Sequence, residues 1–145
     1  MESLWPENLT VTGIKAPVII LREQASLLGD TTQNIIEAEV KRADVSPDMR
    51  LDKKNDMGFR YVFYIVAPAL GNYQYKLFTI WHSVDLYPVI ICPDQDVRDE
   101  LYPDSHKDEI QTESENEFIE MLKAIFHSKK TGNIIQALVS QSTAP

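Results

Sequence analysis

Residues 59–82 read FRYVFYIVA, PALGN, YQYKLFTIWH: two runs in which large apolar side chains recur at every second place, around a turn of proline, glycine and asparagine. A period of two sends successive side chains to opposite sides of a strand, and aromatic and β-branched residues suit that pleated surface. The two runs therefore predict an antiparallel hairpin. The stretch from 59 to 92 holds nine of the thirteen aromatic residues of the chain, so the hairpin must account for most of its ring surface.

If the turn holds an even number of residues and neither strand bulges, parity sorts the side chains. Phe59, Tyr61, Phe63, Ile65, Phe78 and Ile80 share one face, which reads as core. Arg60, Val62, Tyr64, Val66, Tyr75, Leu77, Thr79 and Trp81 share the other, where a charge, hydroxyls and an indole tolerate partial wetting. Interfaces favour Tyr, Trp and Arg, so Arg60, Tyr64, Tyr75 and Trp81 are expected to form a partner-binding surface.

Other elements fall around this pair. PVIILREQASLLG, from Pro17, aligns Val18, Leu21, Ala25 and Leu28 on one helical face, with Pro17 opening the helix and Gly29 just past its end. NIIEAEVKRAD alternates Ile36, Ala38 and Val40 with Glu37, Glu39 and Lys41, as an edge strand with one solvated side would. The polar stretch 45–58 reads as a loop. LYPVIIC predicts a fourth strand in which Pro88 favours an edge or a bulge. Ser114 and Glu117 suggest a capping box before a helix carrying Phe118, Met121, Leu122 and Ile125, with Lys129 and Lys130 at its negative end. Thr131 would cap a last helix with Ile134, Ile135, Leu138 and Val139, and the tail is expected to fray from 141. The expected architecture is α+β: an N-terminal helix, a four-stranded antiparallel meander and two C-terminal helices in one domain over 1–145, preceded by an extended segment over 1–16.

The formal charge of −8 is regional. Residues 94–117 hold ten acids against Arg98 and Lys107, and the remaining acids and bases balance. With two prolines and no periodicity, 93–112 reads as an acidic loop, unusually long for a compact domain and so a candidate for function. Asp94, Asp96, Asp99 and Glu100 are expected to meet a positively charged partner.

Chemical motifs are sparse. Cys92 is the only cysteine, which excludes an internal disulfide and a zinc site of paired thiolates. Cys92 reads as a small buried hydrophobe, and His127 as a partner of a helix dipole. His82, His106 and His127 have no histidine or cysteine at ligand spacing, and none of the five glycines makes a phosphate loop. The acidic stretch lacks the glycine and glutamate of a calcium loop, Asp99 and Ser105 standing in their places. Glu39-Val40-Lys41, with Asp30 upstream, resembles the E-x-K element of metal-dependent nucleases, in which Glu37 or Glu39 would act with Lys41, although Asp30 follows a helix and not a strand. Arg60 and Lys76 fall on opposite faces by parity, which argues against nucleic acid. The first residues carry two glutamates and no apolar stretch before Pro17, unlike a secretory signal, and no run is long enough to span a bilayer.

The composition therefore predicts a cytoplasmic, non-enzymatic protein-interaction domain, of the kind that serves as accessory subunit, chaperone or inhibitor, with no cofactor. Its partner would be another protein, basic where the acidic segment meets it, or a second copy of the chain. The alternative is a small Mg-dependent nuclease-like hydrolase using Glu39 and Lys41.

Overall fold

The computed structural model describes residues 1–10, 13–43 and 58–145. The loop expected over 45–58 lies, except for Gly58, outside the described residues. The fold is α+β, with a five-stranded antiparallel sheet in the order of the chain. The elements are α1 (Pro17–Thr31), β1 (Glu37–Arg42), β2 (Phe59–Ala67), β3 (Tyr73–His82), β4 (Val89–Pro93), α2 (Gln95–Leu101), β5 (Ile110–Thr112), α3 (Glu115–Phe126) and α4 (Lys129–Ser142). A 3-10 turn, Pro68–Leu70, joins β2 to β3.

Two elements lie where a loop was expected: α2 and β5 both fall within 93–112. Asp94 makes α2 possible, because its carboxylate accepts the backbone N–H groups of Asp96 and Val97 and so satisfies the open end of the helix. β5 is too short to show periodicity, and it forms by pairing Ile110, Gln111 and Thr112 with Ile91, Ile90 and Val89. Its presence moves β4 off the sheet edge. The proline expected inside that strand precedes it, at the cis Tyr87–Pro88 bond.

Helix boundaries shift for similar local reasons. α1 runs on through Gly29 and stops at Thr31, where Gln33 and Asn34 turn left-handed and the Asn34 N–H bonds the Gly29 carbonyl at 2.8 Å. Ser114 caps α3 as expected, but Glu117 reaches one residue further back, to the Glu113 N–H. Ser128, not Thr131, caps α4, and the helix continues to Ser142 through the expected start of the tail. Lys129 and Lys130 thus open α4 rather than close α3.

The four described helices cover one side of the sheet. Ile20 and Leu21 of α1, Val97 of α2, Phe118, Leu122 and Ile125 of α3 and Leu138 of α4 join Tyr61, Phe63, Ile65, Ala67, Phe78, Ile80, Val89 and Ile91 in one buried cluster. Val62 and Val66, buried on the other side of β2, are not part of it. Rings stack within the core: Phe63 on Phe78 at 5.0 Å, and Phe59 and Tyr61 against His82 at 5.3 and 5.9 Å. Among the described residues no helix is long and apolar enough to cross a membrane.

His82 is buried, and one ring nitrogen, Nδ1, lies 2.7 Å from the Ser83 carbonyl. Burial lowers its pKa below the usual 6.5, only partly opposed by that hydrogen bond. The unfolded chain then binds a proton that the native ring resists, so stability holds above pH 6.5 and falls as pH drops towards the native value. Chemical denaturation between pH 5 and 7 should show this decline, and His82→Phe, which keeps a ring between Phe59 and Tyr61, should flatten it.

Candidate functional site

The connection between β2 and β3 spans residues 68–72, an odd number, with Gly71 and Asn72 both at positive φ. Ala67 therefore opposes Tyr73, and Ile65 opposes Tyr75. Further along, Phe63 pairs with Phe78 while Tyr64 pairs with Lys76, leaving Leu77 as the extra residue of a β-bulge. The odd turn shifts the parity and the bulge shifts it back. Phe78, Thr79, Ile80 and Trp81 keep their expected faces, whereas the residues between turn and bulge exchange theirs.

This corrects two of the expected positions. Tyr75 and Leu77 lie on the helix side: Leu77 is in the core cluster, and Tyr75 packs against it beside Leu138 of α4. In their place Gln74 and Lys76 reach the side away from the described helices. Lys76 and Arg60 thus share a face, which removes the parity argument against nucleic acid.

The face that no described helix covers, the open face, carries Glu37, Glu39 and Lys41 from β1, Arg60, Val62, Tyr64 and Val66 from β2, Gln74, Lys76, Thr79 and Trp81 from β3, then Ile90, Cys92 and Gln111. Tyr64 and Trp81 are half-buried and absent from the residues packed on the core. Each ring is attended by a cation. The Arg60 guanidinium lies 5.1 Å from the centre of its cross-strand neighbour Trp81, and Lys41 Nζ lies 5.2 Å from that of Tyr64. Arg60 Nε is buried without a hydrogen-bond partner. Gln74 bridges Lys41 at 3.1 Å and Glu39 at 3.2 Å. Cys92 is half-buried here rather than sealed in the core.

The acidic residues stand elsewhere, with the helices, and four of them hold secondary structure together. Besides capping α2, Asp94 accepts a hydrogen bond from the Tyr75 hydroxyl. Burial first, then that bond and the carboxylate charge, raise the Tyr75 pKa well above its usual value. Glu100 accepts the N–H groups of Lys129 and Lys130, at 2.8 and 3.1 Å, at the start of α4. Asp96 pairs with Lys130 Nζ at 2.9 Å and raises the lysine pKa through that hydrogen bond. Asp99 accepts from Gln95 at 2.9 Å. The same pattern continues in Glu115, which takes the Lys15 N–H at 2.7 Å next to the Tyr87 hydroxyl. Burial and the Glu115 charge push the Tyr87 phenol up to about 12.

The eight residues singled out by sequence are therefore split between two layers. Arg60, Tyr64 and Trp81 come together on the open face, while Tyr75 joins Asp94 on the helix side, with Asp96, Asp99 and Glu100 along α2. Lys76 and Gln74 were missed, because the five-residue turn, not the even-numbered one assumed, brings them round. Glu39 and Lys41 sit 3.5 Å apart on exposed β1, tied to each other and to Gln74. Among the described residues no three acids, histidines or cysteines are placed to share a metal ion. His127 stands at the C-terminal cap of α3, as its position suggested.

Two substitutions measure how far these contacts are structural. Glu100→Ala should cost about 1 kcal/mol, as loss of a helix cap does, seen as a thermal midpoint lowered by roughly 2–4 °C. Tyr75→Phe should cost about 0.5–1.5 kcal/mol by urea denaturation, since Asp94 keeps its two backbone donors. Compared with known protein families, with curated proteins and with solved structures, the chain matches none of them.

Proposed function

We propose that the chain is a non-enzymatic protein-interaction domain, an accessory, chaperone or inhibitor-like module, that receives its partner on the open sheet face. The observation that carries this reading is the placement of Tyr64 and Trp81: two large rings on the side of the sheet that no described helix covers. Rings and guanidinium offer contact area at low conformational cost, and residues of this kind dominate binding energy where they occur at interfaces. Lys41, Arg60 and Lys76 outnumber Glu37 and Glu39 there, although the chain as a whole is acidic. The reading therefore favours a neutral or acidic protein surface as partner. The acids expected to attract a basic partner already serve α2 and α4.

A partner isolated by cross-linking to the full chain, then purified, provides the test by calorimetric titration. Tyr64→Ala and Trp81→Ala should each weaken binding by about tenfold or more while the thermal midpoint stays near that of the parent. Lys76→Glu should slow association with little effect on stability. Unchanged affinity in the folded Tyr64→Ala/Trp81→Ala double variant would remove this face as the contact, and selective binding of single-stranded oligonucleotides by the parent chain would replace the protein partner.

A further inference from the structure

On the opposite layer, an apolar cavity of about 280 Å³ opens between α1 and the junction of α3 with α4, its walls including Leu27, Leu28, Phe63, Leu77, Phe126 and Ile135. A depression of about 400 Å³ between α1 and α3 continues it as far as Lys15, the two sharing Gln24, Phe126 and His127. The first cavity lies just under the roughly 300–1,000 Å³ of small-molecule sites. Together with the depression it has the shape of a groove with one anchoring hole, which suits a peptide bearing a bulky side chain. Its lip is apolar, Leu27 being 52% exposed.

Such a peptide is present in the chain. Residues 1–10 form no helix or strand, and Leu4 and Trp5 are 93% and 78% exposed. Pro6 holds Trp5 towards extended backbone, so the arm is partly ordered for docking before it binds. The arm has Glu2 and Glu7 and no basic side chain. Along the groove Lys15 and Glu23 pair at 3.2 Å, and beside them Glu115 accepts the Lys15 amide N–H and keeps its charge. Lys123 is left as the cation of the wall, beside His127. The arm does not fill the groove of its own chain: Lys15 is held at the near end by Tyr87 and Glu115, and among the described residues before it Trp5 stands in solvent.

We propose that the groove receives the N-terminal arm of a second copy, Trp5 entering the cavity beside Leu27 and Phe126 with Glu2 and Glu7 towards Lys123, in a reciprocal exchange that closes a two-fold dimer. This contact is separate from the open sheet face and stands or falls without it.

Sedimentation equilibrium of the full chain from micromolar to millimolar concentration tests the exchange. The parent should dimerise, and Trp5→Ala and Leu27→Glu should each weaken the dimer by about tenfold or more. Both side chains are exposed, so both variants should keep the parent thermal midpoint. Mixing them should restore association, because one variant keeps an intact groove and the other an intact arm. A parent that stays monomeric throughout, a dimer indifferent to both substitutions, or a mixture no stronger than its components would each overturn the proposal.

Discussion

A single extra residue, Leu77, opposite Phe63 decides what each side of this sheet presents. The five-residue turn before it has put Tyr73 and Tyr75 on the helix side, and without the bulge Phe78, Ile80 and their neighbours would follow in the wrong phase. With it, Leu77 and Phe78 both enter the core, and Trp81 reaches the open face beside Arg60. A strand has only two sides, so an inserted residue reassigns every side chain up to the next irregularity. The core and the candidate interface are consequences of the same local event.

A second constraint is electrostatic and shapes the helix layer. α2 and α4 begin without enough backbone partners of their own, and α4 adds two lysines at the end of the helix where positive charge is unfavourable. Glu100 answers both problems by taking the Lys129 and Lys130 N–H groups, and Asp96 takes the Lys130 ammonium. Asp94 caps its own helix and holds Tyr75. Acidity that looks like surplus charge along the chain is thus spent in part on joining α2 to α4 and to β3. The charges of the open sheet face are mostly basic, and the lip of the groove is apolar.

The sequence was most legible where one period ran uninterrupted. The apolar faces of α1 and α3, the alternation in β1 and β2, the cap at Ser114 and the α+β class could all be read from spacing, because each depends on a residue and its neighbours within a turn or two. Gly29 misled because an isolated glycine also fits inside a helix, and here the chain leaves the helix only at Gln33 and Asn34. β5, with three residues, carries no periodic signal. For α2 the local signal, Asp94 before Gln95-Asp96-Val97, was short and lay within a run of acids.

Composition and periodicity by themselves determined that this chain would build a ring-rich antiparallel sheet under amphipathic helices, and that Arg60 and Tyr64 would share one side of β2, whereas Trp81 joins them only because the bulge at Leu77 undoes the phase shift of the odd turn. Only the tertiary structure decided which side Tyr75, Leu77, Gln74 and Lys76 would face, and that Asp94, Asp96 and Glu100 would bond to α2 and α4. The reason is physical. Burial patterns are local and repeat along the chain, whereas a bulge is selected by how two strands and the helices above them pack, and an ion pair such as Asp96 with Lys130 joins residues that only the fold brings together.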